Sequence, residues 1–374
     1  MMKDPLLLTP GPLTTSGTVK AAMLKDWGSR DPEFIRLNAS LRQRLLDIAQ
    51  AGERHVCVPM QGSGTFAVEA MIGTLLPSQG AKLLVLVNGA YGQRMVKMAK
   101  VMGRAVEAIE WPEDRPVDPL MVEARLKDDL SLTHVAIVQC ETTSGIANPV
   151  EAVARIVAGQ GRLLFIDAMS AFGALPLDAR KTPFAALAAS SNKCLEGAPG
   201  MAFVLARRDL LEAASGNAHS LALDLHDQWK GFEANGQWRF TPPTHVVAAF
   251  CQALDEFEAE GGVAGRGQRY RDNLAVLLEG MRALGFTTLL PDALQAPIIV
   301  TFRMPSDPKF DFSRFYGALR DRGFVIYPGK LTVADSFRIG CIGRLGPAEM
   351  RAAVQAIEAT MAGMGVVSGT ASEV

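Results

Sequence analysis

Short apolar runs alternate with amphipathic stretches along the first two thirds of the chain. HVCVPM (55–60) precedes FAVEAMIGTLL (66–76), KLLVLV (82–87) precedes QRMVKMAKVMG (93–103), and HVAIVQC (134–140) precedes VEAVARIVAG (150–159). RLLFIDA (162–168) and MAFVLA (201–206) supply two more apolar runs, the second after a glycine-rich loop. Continuous apolar runs of this length read as buried strands, and the stretches between them carry helical spacing. The rhythm predicts an α/β domain over 16–255, a mostly parallel central sheet sandwiched by helices. WPEDRPVDP (111–119) is a proline-punctuated connection inside it.

The texture then changes. A helix around Ala249 to Glu260 leads into GGVAGRGQRYRDN (261–273) and then a helix through Met281. Strands are expected near APIIVTFRM (296–304), GFVIYPG (323–329) and DSFRIGCIG (335–343), with helices near FSRFYGALRDRG (312–323) and PAEMRAAVQAIEATM (347–361). This reads as a smaller α+β unit over 256–374, with residues 1–15 packing at the active site. The last dozen residues, GMGVVSGTASEV, read as frayed, and neither repeats nor low-complexity tracts occur.

Composition narrows the classes of function. The 374 residues carry 38 Lys and Arg against 39 Asp and Glu, with the signs mixed throughout. Phosphate-backbone binding needs clustered cations, so nucleic acid is not an expected partner. The apolar run at the amino terminus is three leucines before a proline, shorter than a secretory core, and no segment reaches membrane length. Five scattered cysteines give neither a disulfide framework nor metal-ligand spacing, which fits a reducing cytoplasm.

Three segments carry candidate chemistry. In QGSGTFAVEAM, Ser63, Gly64 and Thr65 lie between a predicted strand and a predicted helix, where free N–H groups and the positive helix end suit a phosphate. A tight turn with Thr65 as helix cap is the plainer alternative. The segment also fits G-x-G-x-x-A, but the next strand ends in Asn88 and lacks the acidic residue a dinucleotide ribose needs, so a nicotinamide-dependent dehydrogenase becomes a remote reading.

Asp167 ends an apolar strand and so needs a charged or hydrogen-bonded partner, which a pyridine nitrogen provides in pyridoxal enzymes. Lys193 lies among small residues in AALAASSNKCLEGAPG. Desolvation there lowers a lysine's pKa and favours Schiff-base formation. Phosphate turn, aspartate and then lysine is the chain order of fold-type I pyridoxal-phosphate enzymes.

With those residues in place, the sequence resembles the class V aminotransferases nearly from end to end. The resemblance rests on LLLTPGPLTTS (6–16), DWGSRDPEF (26–34), QGSGTFAVEA, NGAYGQR (88–94), ETTSGIANP (141–149), the Asp167 segment, SSNKCLEGAPG (190–200), RFTPPTH (239–245) and FRIGCIG (337–343). Within the class it is similar to members that transfer the amino group of 2-aminoethylphosphonate to pyruvate.

The resemblance implies pyridoxal 5'-phosphate as cofactor, with Lys193 as its Schiff-base lysine and Asp167 on the ring nitrogen. It implies that Ser63, Gly64 and Thr65 hold the phosphate, Tyr91 stacks on the ring, and Thr142 or its neighbour Thr143 donates to the phenolic oxygen. Thr241 would reach the phosphate of the other subunit of a homodimer. Arg338 would grip the acidic group of either substrate by its planar fork. Arg30 would be a second anion ligand, although Ser29 stands where related enzymes have histidine, and Gly11 belongs to the TPGP segment that would help choose the substrate. The rivals are an alanine or serine–glyoxylate aminotransferase of the same class and, from another class, a non-catalytic binding module. A cysteine desulfurase would need a loop cysteine in the smaller unit, whereas Cys341 falls in an expected strand.

Overall fold

The structure, a computed structural model, describes residues 4–331 and 334–371. Its centre is a seven-stranded sheet in the order His55–Gln61, Met201–Arg207, Ala186–Ser190, Leu163–Asp167, His134–Val138, Lys82–Val87, Ala105–Glu110. Met201–Arg207 runs antiparallel to both neighbours, and the remaining pairs are parallel. Separate apolar clusters cover the two faces, one built around Leu41, Ile137, Ile166 and Phe250 and the other around Val58, Met71, Val85 and Phe165. The near-continuous apolar runs follow from that double cover.

Two strands are not distinct in the apolar pattern. Ala186–Ser190, of sequence ALAAS, is fully buried between Leu163–Asp167 and Met201–Arg207. It lacks the β-branched and aromatic residues that mark strands; small side chains let the helix Gly64–Leu75 lie across it. Ala105–Glu110 is the sheet edge, half-buried, and its Glu107 joins an ion cluster with Lys82 and Arg125.

The helix Thr244–Ala259 runs through positions 255 and 256 and buries Phe257 against the sheet's core. It is followed by one continuous helix, Gly262–Ala283, so GGVAGRGQRYRDN is helical from its second residue and not a connection between two helices. Glycines inside a helix cost about 1 kcal/mol each relative to alanine. Three large side chains offset that cost, Tyr270, Leu277 and Met281, each fully buried and worth roughly 2–3 kcal/mol. A Cβ at Gly267 would strike the Ala174 carbonyl, so the close approach itself requires glycine there.

A three-stranded antiparallel sheet, Ile299–Arg303, Ser336–Gly340 and Tyr327–Pro328, packs with the helices Phe312–Asp321 and Pro347–Met364 around Phe302, Phe315 and Phe337. The amino-terminal residues join this unit: Leu6–Leu7 pairs with Phe324–Val325, and Leu8 is buried in the same cluster. The carboxyl-terminal tail is tied down through residue 370. Gly369 donates to the Leu284 carbonyl, the Thr370 carbonyl accepts from Ser306, and Val366 is buried; residues 372–374 of the expected frayed end lie outside the described residues.

Candidate active site

The carboxyl ends of the parallel strands deliver the site, as connections in such sheets emerge there. Asp167 is the last residue of Leu163–Asp167 and is buried; its Oδ1 accepts from the Met169 N–H at 3.0 Å. Burial pushes the Asp167 carboxyl up to about 6, and nearby Glu141 adds to the effect, against the pull of the Met169 N–H, Arg94 and Lys193. An unpaired ionised carboxylate is costly there, so Asp167 is suited to receive a cation.

Lys193 follows the strand Ala186–Ser190 on a tightly held loop. The Ser191 hydroxyl donates to the Ala198 carbonyl at 2.6 Å, with the Met201 carbonyl also 3.0 Å away, and Gly197 donates to the Ser191 carbonyl. Arg266, which is fully buried, donates to the Cys194 carbonyl, while Arg269 and Tyr270 converge on Glu196 at 2.7 and 2.6 Å. The helix Gly262–Ala283 therefore braces the lysine loop through side chains more than 70 residues away in sequence. Burial pulls the Lys193 ammonium down to about 8, with Lys330 and Arg338 adding repulsion and Asp167 opposing it. Lys193 Nζ donates to the carbonyls of Pro10 and Gly11 at 2.7 and 3.1 Å.

Ser63, Gly64, Thr65, Tyr91, Asp167, Lys193 and Gly11 all line one cavity of about 260 Å³. Ser63, not Thr65, is the N-cap of the helix Gly64–Leu75, and its side chain makes no capping bond; the Phe66 N–H turns back to the Ser63 carbonyl, so the Ser63 hydroxyl and the N–H groups of Gly64 and Thr65 are left for an anion. A Cβ on Gly64 would strike the Met169 sulfur. At Gly11, with φ +105°, a Cβ would fall 2.5 Å from Lys193 Cδ, so only glycine lets the segment pass against the lysine.

A small adjoining cavity of about 20 Å³ is lined by Tyr91, Thr142, Asp167 and Lys193. Geometry separates Thr142 from Thr143. The Thr143 hydroxyl donates to Glu141 at 2.6 Å and accepts from the Ala90 N–H at 3.0 Å, so it is already used. Glu141 is buried at the start of the helix Ala90–Val101 and also accepts from the Tyr91 N–H; burial pushes its carboxyl up while those donors hold it down. Thr142 is the threonine that faces the cavity.

Arg338, in the strand Ser336–Gly340, is buried, donating from Nε to the Pro328 carbonyl at 3.1 Å and from Nη1 to the Thr142 carbonyl at 2.9 Å. Burial pulls its guanidinium down, and the first group to oppose this is Tyr91. Arg30 and Thr241 do not join this cavity. They line a separate polar one of about 330 Å³ with Ser29 and Arg239.

Three residues escaped sequence reasoning. Arg94 sits one turn after Tyr91, 4.8 Å from the centre of its ring, and donates to the Thr65 hydroxyl at 3.3 Å. Its i,i+3 spacing from Tyr91 was a readable signal. Ser190, in the alanine-rich strand, lines the main cavity with its Oγ buried and unpartnered. Lys330, in a loop of the smaller unit, carries no sequence signal at all.

The site defines the class: the class-V aminotransferase family model matches residues 19–334, and the chain belongs to that family. It is 55% identical over 363 residues to a 2-aminoethylphosphonate–pyruvate transaminase of Burkholderia lata, covering 97% of this chain and 96% of that one. It is likewise 55% identical to the transaminase of the same name from Pseudomonas fluorescens, with 97% and 98% covered. Among solved structures it matches ureidoglycine–glyoxylate aminotransferase from Bacillus subtilis, with TM-score 0.89, 21% identity and 98% and 95% covered. Pyridoxamine–pyruvate aminotransferase from Mesorhizobium loti gives TM-score 0.88 at 24% identity, again with 98% and 95% covered. The fold is that of these fold-type I enzymes.

Proposed function

We propose that this aminotransferase uses pyridoxal 5'-phosphate to move the amino group of 2-aminoethylphosphonate to pyruvate, giving phosphonoacetaldehyde and L-alanine. The observation that carries the chemistry is the convergence of Lys193 and Asp167 with the uncapped helix start at Ser63 in one cavity. The substrate pair is supported by the end-to-end identity with transaminases named for it.

The residues fit the cofactor. Ser63, Gly64 and Thr65 offer the phosphate their hydroxyls and N–H groups, and the unpartnered Ser190 hydroxyl lies in the same cavity. Asp167 is a buried acid with no cationic partner within hydrogen-bond reach among the described residues. When bound, the cofactor supplies a conjugated ring that accepts the electron pair left as the donor carbon loses its proton. Asp167, ionised against the ring nitrogen, keeps that nitrogen protonated. Tyr91 and Thr142 line the same site, where Tyr91 would stack on the ring and Thr142 would offer its hydroxyl to the phenolic oxygen.

Lys193 is the general base and acid. A lysine pulled down to about 8 has a substantial neutral fraction near physiological pH, and its Nζ takes the proton from the carbon bearing the amino group. Arg338, held from behind by two carbonyls, grips phosphonate in one half of the reaction and carboxylate in the other. Thr241 and Arg30 cluster away from Lys193; in a homodimer Thr241 would reach the phosphate held by the other subunit. Five free, buried cysteines favour a reducing compartment, the cytoplasm.

Half-reactions test this. The cofactor's absorbance is followed after separate additions of 2-aminoethylphosphonate, alanine, serine and phosphoserine. A response to the phosphonate and to alanine is expected. A response to serine with none to the phosphonate would move the assignment to a serine or alanine–glyoxylate aminotransferase, and no visible band with added cofactor would end the aminotransferase reading.

A further inference from the structure

Tyr91 is surrounded by cations. Arg94 lies 4.8 Å from its ring centre and Lys330 Nζ 5.3 Å, and Arg338 is close enough for the two side chains to interact electrostatically. Among the described residues none of the three makes an ion pair with a carboxylate. They divide by position. Arg94 donates to the Thr65 hydroxyl, on the side of the helix start that suits the cofactor phosphate. Lys330 follows two residues after Pro328, whose carbonyl holds Arg338, and Gly329 between them is pinned by its bond to the Ser336 carbonyl at 2.9 Å. The short hairpin that fixes Arg338 therefore fixes where Lys330 begins. Both also act on Lys193, where each disfavours the charged amine.

A carboxylate carries one charge and is matched by one guanidinium. A phosphonate, like a phosphate monoester, carries up to two charges and has three acceptor oxygens. The geometry points to Lys330 as a second cation at the substrate end of the site that, together with Arg338, selects a dianionic phosphonate over a monocarboxylate. This rests on the phosphonate reading above. Lys330 is exposed, so its ammonium is free to swing from the Tyr91 ring onto a phosphonate oxygen.

The test uses cofactor-loaded, full-length protein and two ligands that lack an amino group and so cannot react, ethylphosphonate and propionate. Their dissociation constants are read from the cofactor's spectrum above the phosphonate's second ionisation. The preference for ethylphosphonate should fall about tenfold in Lys330→Met, the loss expected for one charge-assisted bond at a partly exposed site. Lys330→Arg should keep it within about twofold. A general disturbance of the site would weaken both ligands together and leave the preference unaltered, and that result overturns the role of Lys330. If wild type reacts with 2-aminoethylphosphonate while the Lys330→Met preference is unaltered, only this inference fails. A wild type blind to both phosphonates overturns the phosphonate reading as well.

Discussion

Lys193 Nζ donates to the carbonyl of Pro10 at 2.7 Å, joining two residues 183 positions apart. The amino-terminal segment reaches that point because Leu6–Leu7 is paired in the smaller unit and Gly340 donates to the Leu8 carbonyl. The two carbonyls of Pro10 and Gly11 hold the lysine amine within the same cavity as Asp167.

Lys193→Ala is expected to abolish turnover, lowering kcat by about 10⁴-fold or more, since positioned proton transfer alone is worth up to that factor. Alanine formation from 2-aminoethylphosphonate and pyruvate measures it. Retention of more than a few per cent of the rate would remove Lys193 from the centre of the mechanism.

Arg338→Gln should raise KM for both substrates by roughly 30-fold or more, the equivalent of losing about 2 kcal/mol of charge-assisted hydrogen bonding. The fold should survive, because the glutamine amide nitrogen stands about where Arg338 Nε does and can still serve the Pro328 carbonyl, leaving only the Thr142 carbonyl short of its donor. Unchanged KM for either substrate would show that its acidic group binds elsewhere.

Gly11→Ala places a methyl group 2.5 Å from Lys193 Cδ and 2.7 Å from its Nζ on a backbone with φ +105°. Both the strain and the clash act on the lysine. Slower cofactor incorporation and a drop in stability of about 1–2 kcal/mol by denaturant unfolding are expected. Normal incorporation with unaltered stability would mean that the segment relaxes away from Lys193.

Thr142→Val and Thr143→Val should separate. Losing the Thr143 hydroxyl leaves the buried Glu141 short of a donor and costs about 1–3 kcal/mol of stability. Losing the Thr142 hydroxyl should shift the cofactor's absorbance with little change in melting temperature. The reverse pattern would reassign the two threonines.

Asp167 gives the pH dependence. Its carboxyl is raised from an ordinary 3.8 to about 6, so folding favours the protonated form. For such a group the favourable contribution is complete below about pH 4 and is lost as pH rises through 6. Cofactor-free Asp167→Asn should therefore be more stable than wild type at pH 7.5, by up to about 3 kcal/mol, with the advantage gone near pH 4. Thermal melts across that range decide it. With cofactor bound the order should reverse, because the ring nitrogen then rewards the charge.

How much of this was legible in the sequence follows from the range over which each signal acts. Burial on both faces writes itself locally as continuous apolar runs, and KLLVLV, HVAIVQC and RLLFIDA are strands for that reason. The alanine strand 186–190 was hidden because its identity comes from what packs on it and not from its own propensity.

The order of Ser63, Asp167 and Lys193 along the chain gave the class of chemistry, since each sits where a strand ends and the fold must gather strand ends. The sequence alone left Thr142 and Thr143 open, because neighbours in one turn, here between Cys140–Glu141 and Ile146–Ala147, differ only in the direction that tertiary packing gives them. It also held no sign of Lys330 or of the bond between Pro10 and Lys193. Those depend on segments from distant parts of the chain meeting beside Lys193 and Tyr91, and only the folded structure sets that meeting.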